Sequence, residues 1–125
     1  MEFKKEFTVE LTDNDIDDIM SAALDGGITY WCDEARVVGD YLGEYASDQI
    51  SKGGQLILCD YEGEEEHLLT KEKLIEGFKK CLEEANCPNF LEQVDKKLVV
   101  DTCHIDAEIA DTIIQLALFG EVVYG

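Results

Sequence analysis

Apolar residues fall at mostly alternating positions in Phe3, Phe7, Val9 and Leu11, which predicts a strand over 3–11 with one apolar face. The period then lengthens. Ile16, Ile19, Met20 and Ala23 share one stripe, with Asp17, Asp18, Ser21 and Asp25 opposite, so a helix is predicted over about 13–24. Thr12 followed by Asp15 reads as an acidic variant of the capping box, and Gly26-Gly27 ends the helix. Ile28 to Cys32 is rich in β-branched and aromatic residues, the pattern of a short strand or extended segment. Residues 33–43 show no clear period, and Gly39 and Gly43 interrupt any long helix. Glu44 to Lys52 reads as a short helix closed by Gly53-Gly54.

Gln55 to Tyr61 is predicted to be a strand, Glu62-Gly63 a turn, and Glu65 to Leu69 its hairpin partner. Thr70 caps a helix over about 71–85 with Leu74, Phe78, Cys81, Leu82 and Ala85 on one face. Glu76 with Lys80 and Lys79 with Glu83 lace its other face. Asn86-Cys87-Pro88-Asn89 breaks it. Residues 90–104 are ambiguous apart from a short strand at Leu98–Val100. Asp106 caps a last helix that runs to about Phe119, with Ile105 and Ala110 placed for a hydrophobic staple. Only Asp111, Thr112 and Gln115 are polar between Ile109 and Phe119, so this helix must be nearly surrounded by protein. Gly120 stops it, and Glu121 to Tyr124 offers a final strand. The order of elements predicts a single acidic α+β domain over 1–125, a small mixed or antiparallel sheet with about three helices packed on one face.

Charge adds the most to this picture. The 125 residues hold 29 acids and 10 bases, a net charge of -19. Residues 1–62 have 15 acids against 4 bases and residues 63–125 have 14 against 6, so the whole domain is acidic rather than one tail. A hydrophobic fraction of 46% nevertheless supports a folded core. Such a field repels nucleic acid and anionic membrane and steers toward basic protein surfaces. The start of the chain has no apolar run like a signal peptide, and no segment has the length of a membrane span. Five Cys (32, 59, 81, 87 and 103) make an odd count with no Cys-x-x-Cys. Together these predict a reduced, cytoplasmic protein.

The densest chemistry lies in Gly26-Gly-Ile-Thr-Tyr-Trp-Cys-Asp33, with Arg36, the chain's sole Arg, just beyond. Tyr30, Trp31, Asp33 and Arg36 could line a ligand pocket: rings for stacking, Thr29 and Asp33 for polar contacts, a guanidinium for phosphate or carboxylate. The plainer reading, which we favour, puts Trp31 and Tyr30 in the core beneath the last helix. Cys103, His104 and Asp106 are potential metal ligands, so a metal-dependent enzyme around His104 and Asp106 is an alternative. His67, Asp60 and Asp33 are the other obvious donors. The plainer reading makes Asp106 a helix cap. Neighbours on a strand point to opposite faces, and a low thiol pKa needs positive surroundings, so Cys103–His104 or Cys32 as a nucleophile is disfavoured. There is no serine elbow, P-loop or dinucleotide fingerprint. Catalytic residues and cofactors are therefore assigned as none.

Acids cluster at Asp13/Asp15/Asp17/Asp18, Asp33/Glu34 and Glu62/Glu64/Glu65/Glu66. Each has a bland cause: helix N-termini favour carboxylates, Asp33/Glu34 is a short loop pair, and a hairpin turn needs solubility. Thr12 to Asp17 alternates like a calcium loop but lacks its central Gly. Taken together, rows of carboxylates on a rigid domain can imitate the charge density of duplex DNA. A charge of -19 exceeds the magnitude of about 2–8 that solubility usually calls for.

Gly26–Asp33, Tyr41-Leu-Gly-Glu-Tyr-Ala-Ser-Asp-Gln-Ile-Ser-Lys-Gly-Gly54 and Asp101-Thr-Cys-His-Ile-Asp-Ala-Glu-Ile-Ala-Asp111 resemble a group of short uncharacterised proteins from phages and conjugative elements of Gram-positive bacteria. The resemblance carries no catalytic motif and implies only context, since accessory genes of mobile elements often counter host defence. Small acidic phage proteins that block CRISPR nucleases or restriction enzymes are similar in size and charge, without a shared motif. The expected function is thus a non-enzymatic inhibitor of a nucleic-acid-binding defence effector, acting by acidic DNA mimicry through Asp13, Asp17, Asp18, Glu64, Glu65 and Glu66. Its partner is a basic host protein surface, with no direct nucleic acid or membrane contact. A small-molecule binder or sponge for a nucleotide signal, using Trp31, Tyr30 and Arg36, is the alternative. A homo-oligomer paired edge to edge through its two terminal strands is a further option.

Overall fold

A computed structural model describes residues 8–61, 65–83 and 90–125. It is an α+β fold with three α-helices and two three-stranded sheets. Strand β1 (Thr8–Glu10) leads into helix α1 (Asp13–Ala22), whose last turn widens to a π-helix over Ala23–Gly27. Strand β2 is Cys32–Val37, followed by a 3-10 turn at Ala46–Asp48. Strands β3 (Leu56–Asp60) and β4 (Glu66–Leu69) precede helix α2 (Lys71–Glu83). Strands β5 (Leu91–Val94) and β6 (Lys97–Val100), a 3-10 turn at Thr102–His104 and helix α3 (Ala107–Phe119) complete the chain.

The strands divide into two sheets where one was expected. One is mixed: β6 lies between β1, which it pairs in parallel, and β5, antiparallel to it. The other is the antiparallel set β2-β3-β4. Other boundaries move too. The strand predicted at Ile28–Cys32 begins only at Cys32, because Ile28 closes the π turn and its carbonyl accepts from the Trp31 and Cys32 amides. The helix predicted over 44–52 shrinks to a single 3-10 turn plus turns. Residues 121–124 form no strand; Tyr124 packs on the core, and Gln115 of α3 binds the Val123 and Tyr124 amides. Residues 3–7, the Glu62-Gly63 turn and residues 86–89 lie outside the described residues.

Local chemistry explains what holds. Thr12 Oγ1 accepts from the Asp15 amide at 3.1 Å, and Asp15 Oδ2 accepts from the Thr12 amide at 2.9 Å, closing the capping box. Asp106 caps α3 through the Ile109 amide at 2.9 Å, and Gly120 ends it in the left-handed conformation with φ 77°. The β5–β6 hairpin turns on Asp95-Lys96, with Asp95 at φ 56°, a conformation Asp tolerates better than most residues.

The core runs between α3 and its neighbours. Ile113, Ile114 and Leu116 of α3 are buried with Leu74 and Phe78 of α2, Ile16, Ile19 and Met20 of α1, and Leu56 and Leu58 of β3. The two long helices approach at Gly77, where an added Cβ would stand 2.6 Å from the Ile113 carbonyl oxygen and 2.7 Å from the Ala117 Cβ. That approach accounts for a glycine in mid-helix, which otherwise costs about 1 kcal/mol against Ala. Among the described residues, no helix is long and apolar enough to cross a membrane.

Candidate functional site

Two polar residues on the apolar helix α3 organise the site. Asp111 and Gln115 are four apart, hence on one face, and both are buried. Burying a carboxylate is costly unless donors surround it. Three do here. The Trp31 indole N–H donates to Asp111 Oδ1 at 2.8 Å, the Gln115 amide donates to the same oxygen at 2.8 Å, and the Tyr30 hydroxyl donates to Oδ2 at 2.6 Å. Gln115 Oε1 then accepts from the backbone amides of Val123 and Tyr124, each at 2.8 Å, and so fastens the segment after α3.

That segment lays the Tyr124 ring over Trp31, with centroids 4.9 Å apart and planes 4° from parallel. Phe119 meets Trp31 edge-on at 5.9 Å. Tyr30, Trp31, Tyr61, Tyr124 and Gly125 line a cavity of about 290 Å³. Tyr30 is half exposed, yet its hydroxyl is enclosed by Asp111 and Gln115. Burial, and next the hydrogen bond to Asp111, push its pKa up to about 12. Burial likewise pushes the Cys32 thiol up to about 11.

The other ligand-site candidates are elsewhere. Asp33 is exposed at a bulge, skipped by the register that pairs Cys32 with Asp60 and Glu34 with Cys59. Arg36 is directed across the sheet: it pairs with Glu66, donates to Cys59 Sγ at 3.4 Å and lies 3.8 Å from Glu34. It is not among the residues lining the aromatic cavity. Thr29 Oγ1 donates to the Gly26 carbonyl. Tyr30 and Trp31 are thus brought together with Tyr61 and Tyr124, and Asp33 and Arg36 are not.

The acidic candidates of α1 each have a partner. Asp13 is 2.9 Å from Lys71 Nζ, Asp17 Oδ1 accepts from Ser51 Oγ at 2.5 Å, and Asp18 Oδ2 accepts from Thr102 Oγ1 at 2.8 Å. The helix is stitched through them to α2, to the turn before β3 and to the turn before α3. Of the hairpin acids, Glu66 holds Arg36 and Glu65 is exposed, while Glu64 lies outside the described residues.

His104 sits 3.4 Å from Asp101, and Asp106 serves as the cap of α3, so the structure gives this pair separate duties. A different group converges. Asp60 Oδ2 is 3.2 Å from His67 Nε2, Glu65 Oε2 is 3.9 Å from it, and one ligand atom from each lies within 4.8 Å of the others. Alternation explains the group: Leu56, Leu58 and Asp60 are the buried positions of β3, and Leu58 is paired with His67 in the register. His67 also packs edge-on against Phe119 at 4.9 Å.

Sequence reading missed Asp111, Gln115 and Tyr124. The signal was present: two polar residues spaced four apart inside an otherwise apolar helix. It also missed the exposed loop after β2, where Asp40, Tyr41, Leu42, Glu44 and Tyr45 all face solvent. Buried Gln49 pins that loop, accepting from the Leu42 amide at 2.6 Å. Comparison with family models, with curated proteins and with solved structures finds no match to this chain.

Proposed function

We propose that this chain is a mobile-element protein that occupies the basic surface of a host nucleic-acid-binding defence effector, of the CRISPR-nuclease or restriction type, in the manner of a DNA mimic. The observation that supports this most is the fixed setting of the α1 carboxylates: Asp13, Asp15, Asp17 and Asp18 are each held by one oxygen. A mimic must present charge at set positions, since ordering long side chains on binding costs affinity. Internal pairing of Arg36, Lys71, Lys79 and Lys97 leaves the acid excess uncompensated. Exposed Tyr41 and Tyr45, beside Asp40 and Glu44, add the residue type most enriched at protein interfaces.

The test is expression of the chain in a host carrying a defined restriction or CRISPR nuclease. Phage plating is expected to recover, and the purified nuclease to lose duplex binding in competition with the chain. Complex formation should weaken steeply with salt and by at least about tenfold in Asp13→Asn/Asp18→Asn combined with Glu64→Gln/Glu65→Gln/Glu66→Gln. Salt-independent binding that survives these substitutions overturns mimicry.

The aromatic cavity favours a second reading, a binder of a planar small molecule stacking on Tyr30, Trp31 and Tyr124. A thermal-shift screen with nucleotides separates the two. A nucleotide that raises the melting temperature in the wild type but not in Tyr30→Ala supports the pocket.

A further inference from the structure

We propose that Asp60, Glu65 and His67 form a binding site for one divalent transition-metal ion of the zinc class, with an open fourth position. The site is a product of strand pairing. The inner positions of β3 read Leu56, Leu58, Asp60, and the matching positions of β4, read backwards, are Leu69, His67 and, one step beyond the strand, Glu65. The shared face turns from apolar to metal-ligating at the same end on both strands. The Asp60 amide donates to the Glu65 carbonyl at 3.3 Å, which keeps the two residues opposite each other.

The spacing fits an ion. Two ligand atoms about 2.1 Å from a tetrahedral zinc ion stand about 3.4 Å apart. His67 Nε2 and Asp60 Oδ2 are 3.2 Å apart, and Glu65 Oε2 is 3.9 Å from His67 Nε2. The Glu65 side chain is 71% exposed and can swing in, whereas Asp60 at 4% and His67 at 17% are held by their surroundings. One nitrogen and two carboxylate oxygens suit zinc, cobalt or manganese rather than calcium, which takes six to eight oxygens. A support for the ligands is already present. The Tyr124 hydroxyl donates to Asp60 Oδ2 at 3.2 Å, and Phe119 braces the His67 ring. Such outer contacts fix ligand orientation in metal sites. The field of a chain with net charge -19 raises the local concentration of any cation.

Tyr124 also supplies the reporter. Its hydroxyl touches Asp60 and its ring stacks on Trp31, the only Trp in the chain, so an ion at Asp60 is read by Trp31 emission. The experiment strips the purified chain with chelator. Zinc is then titrated by calorimetry and by Trp31 fluorescence, and cobalt by visible absorption. One equivalent is expected, with a shift in Trp31 emission and the d–d bands of cobalt bound by nitrogen and oxygen. His67→Gln and Glu65→Gln should each weaken zinc binding at least tenfold, while Glu44→Gln, which removes the same charge elsewhere, should not. Glu65→Gln alters an exposed side chain, so it decides the matter even if His67→Gln fails to fold. Equal binding by the wild type and Glu65→Gln, an equal loss in Glu44→Gln, or a thiolate-to-cobalt charge-transfer band marking a cysteine ligand would overturn the site. None of these readouts requires the proposed defence partner.

Discussion

Trp31 and Asp111 are 80 residues apart in sequence and joined by a buried hydrogen bond of 2.8 Å. The bond ties the turn before β2 to the middle of α3. It carries a prediction. Asp111→Ala strands the buried Trp31 N–H, whereas the Tyr30 hydroxyl and the Gln115 amide keep the Tyr124 carbonyl as an acceptor. An unsatisfied buried donor costs about 1–3 kcal/mol, so a loss of about that size is expected. Asp111→Asn keeps an acceptor for Trp31 and should lose about half as much. Urea unfolding followed by Trp31 emission gives both values; equal losses would mean that shape rather than hydrogen bonding sets the cost.

Burial of the Tyr30 hydroxyl, and next its hydrogen bond to the same carboxylate, set a pH dependence. The Tyr30 pKa is raised from 10.0 to about 12, so the folded chain holds this proton more tightly than the unfolded chain. The sign follows: its contribution is fully present below about pH 10 and is lost as pH rises through 10 toward 12. Tyr30→Phe should therefore show a flatter alkaline fall in stability than the wild type. The difference between their phenolate absorbance titrations should be one late-titrating group.

Thiol chemistry separates two cysteines that look alike in sequence. Cys103 is exposed, whereas Cys32 is buried with its pKa pushed up to about 11 by that burial. Thiolate is the reactive form, so at neutral pH iodoacetamide should label Cys103 rapidly and Cys32 only at the rate of unfolding. Peptide mass spectrometry over time distinguishes them. Rapid labelling of Cys32 would show that β2 opens locally.

The three α-helices and their caps were legible because their signals are local. The Thr12/Asp15 box, the Asp106 cap and the Gly120 stop each use residues within four positions of one another. The β3–β4 hairpin was legible from two strand-like runs on either side of the Glu62-Gly63 turn signal. The division into two sheets was not, since the parallel pairing of β1 with β6 joins Thr8 to Lys97 with no local trace. The β5–β6 turn was obscured because Asp95-Lys96 lacks the usual glycine. The site was half legible. Tyr30 and Trp31 drew notice as aromatics, but their partners Asp111 and Tyr124 come from elements 80 and more residues away. Arg36 looked available for a ligand because cross-strand pairing with Glu66 is invisible before register is known.

Helix α3 also depends on close approach, and two glycines test how far. At Gly77 an added Cβ would meet the Ile113 carbonyl oxygen at 2.6 Å, and at Gly27 the Ala107 carbonyl oxygen at 2.6 Å. Both obstacles are backbone, so no side-chain rotation relieves them. Forcing extra atoms into a packed core costs about 1–3 kcal/mol. In Gly77→Ala this opposes a gain in helix propensity of about 1 kcal/mol, leaving a net loss of up to about 2 kcal/mol. Gly26 is the internal control: nothing lies within 4 Å of its added Cβ. Gly26→Ala should be neutral or stabilising by up to about 1 kcal/mol, through a less flexible unfolded chain. Urea midpoints for the two variants should therefore move in opposite directions from the wild type. If Gly77→Ala raised the midpoint instead, α2 and α3 would have to stand farther apart than this packing places them.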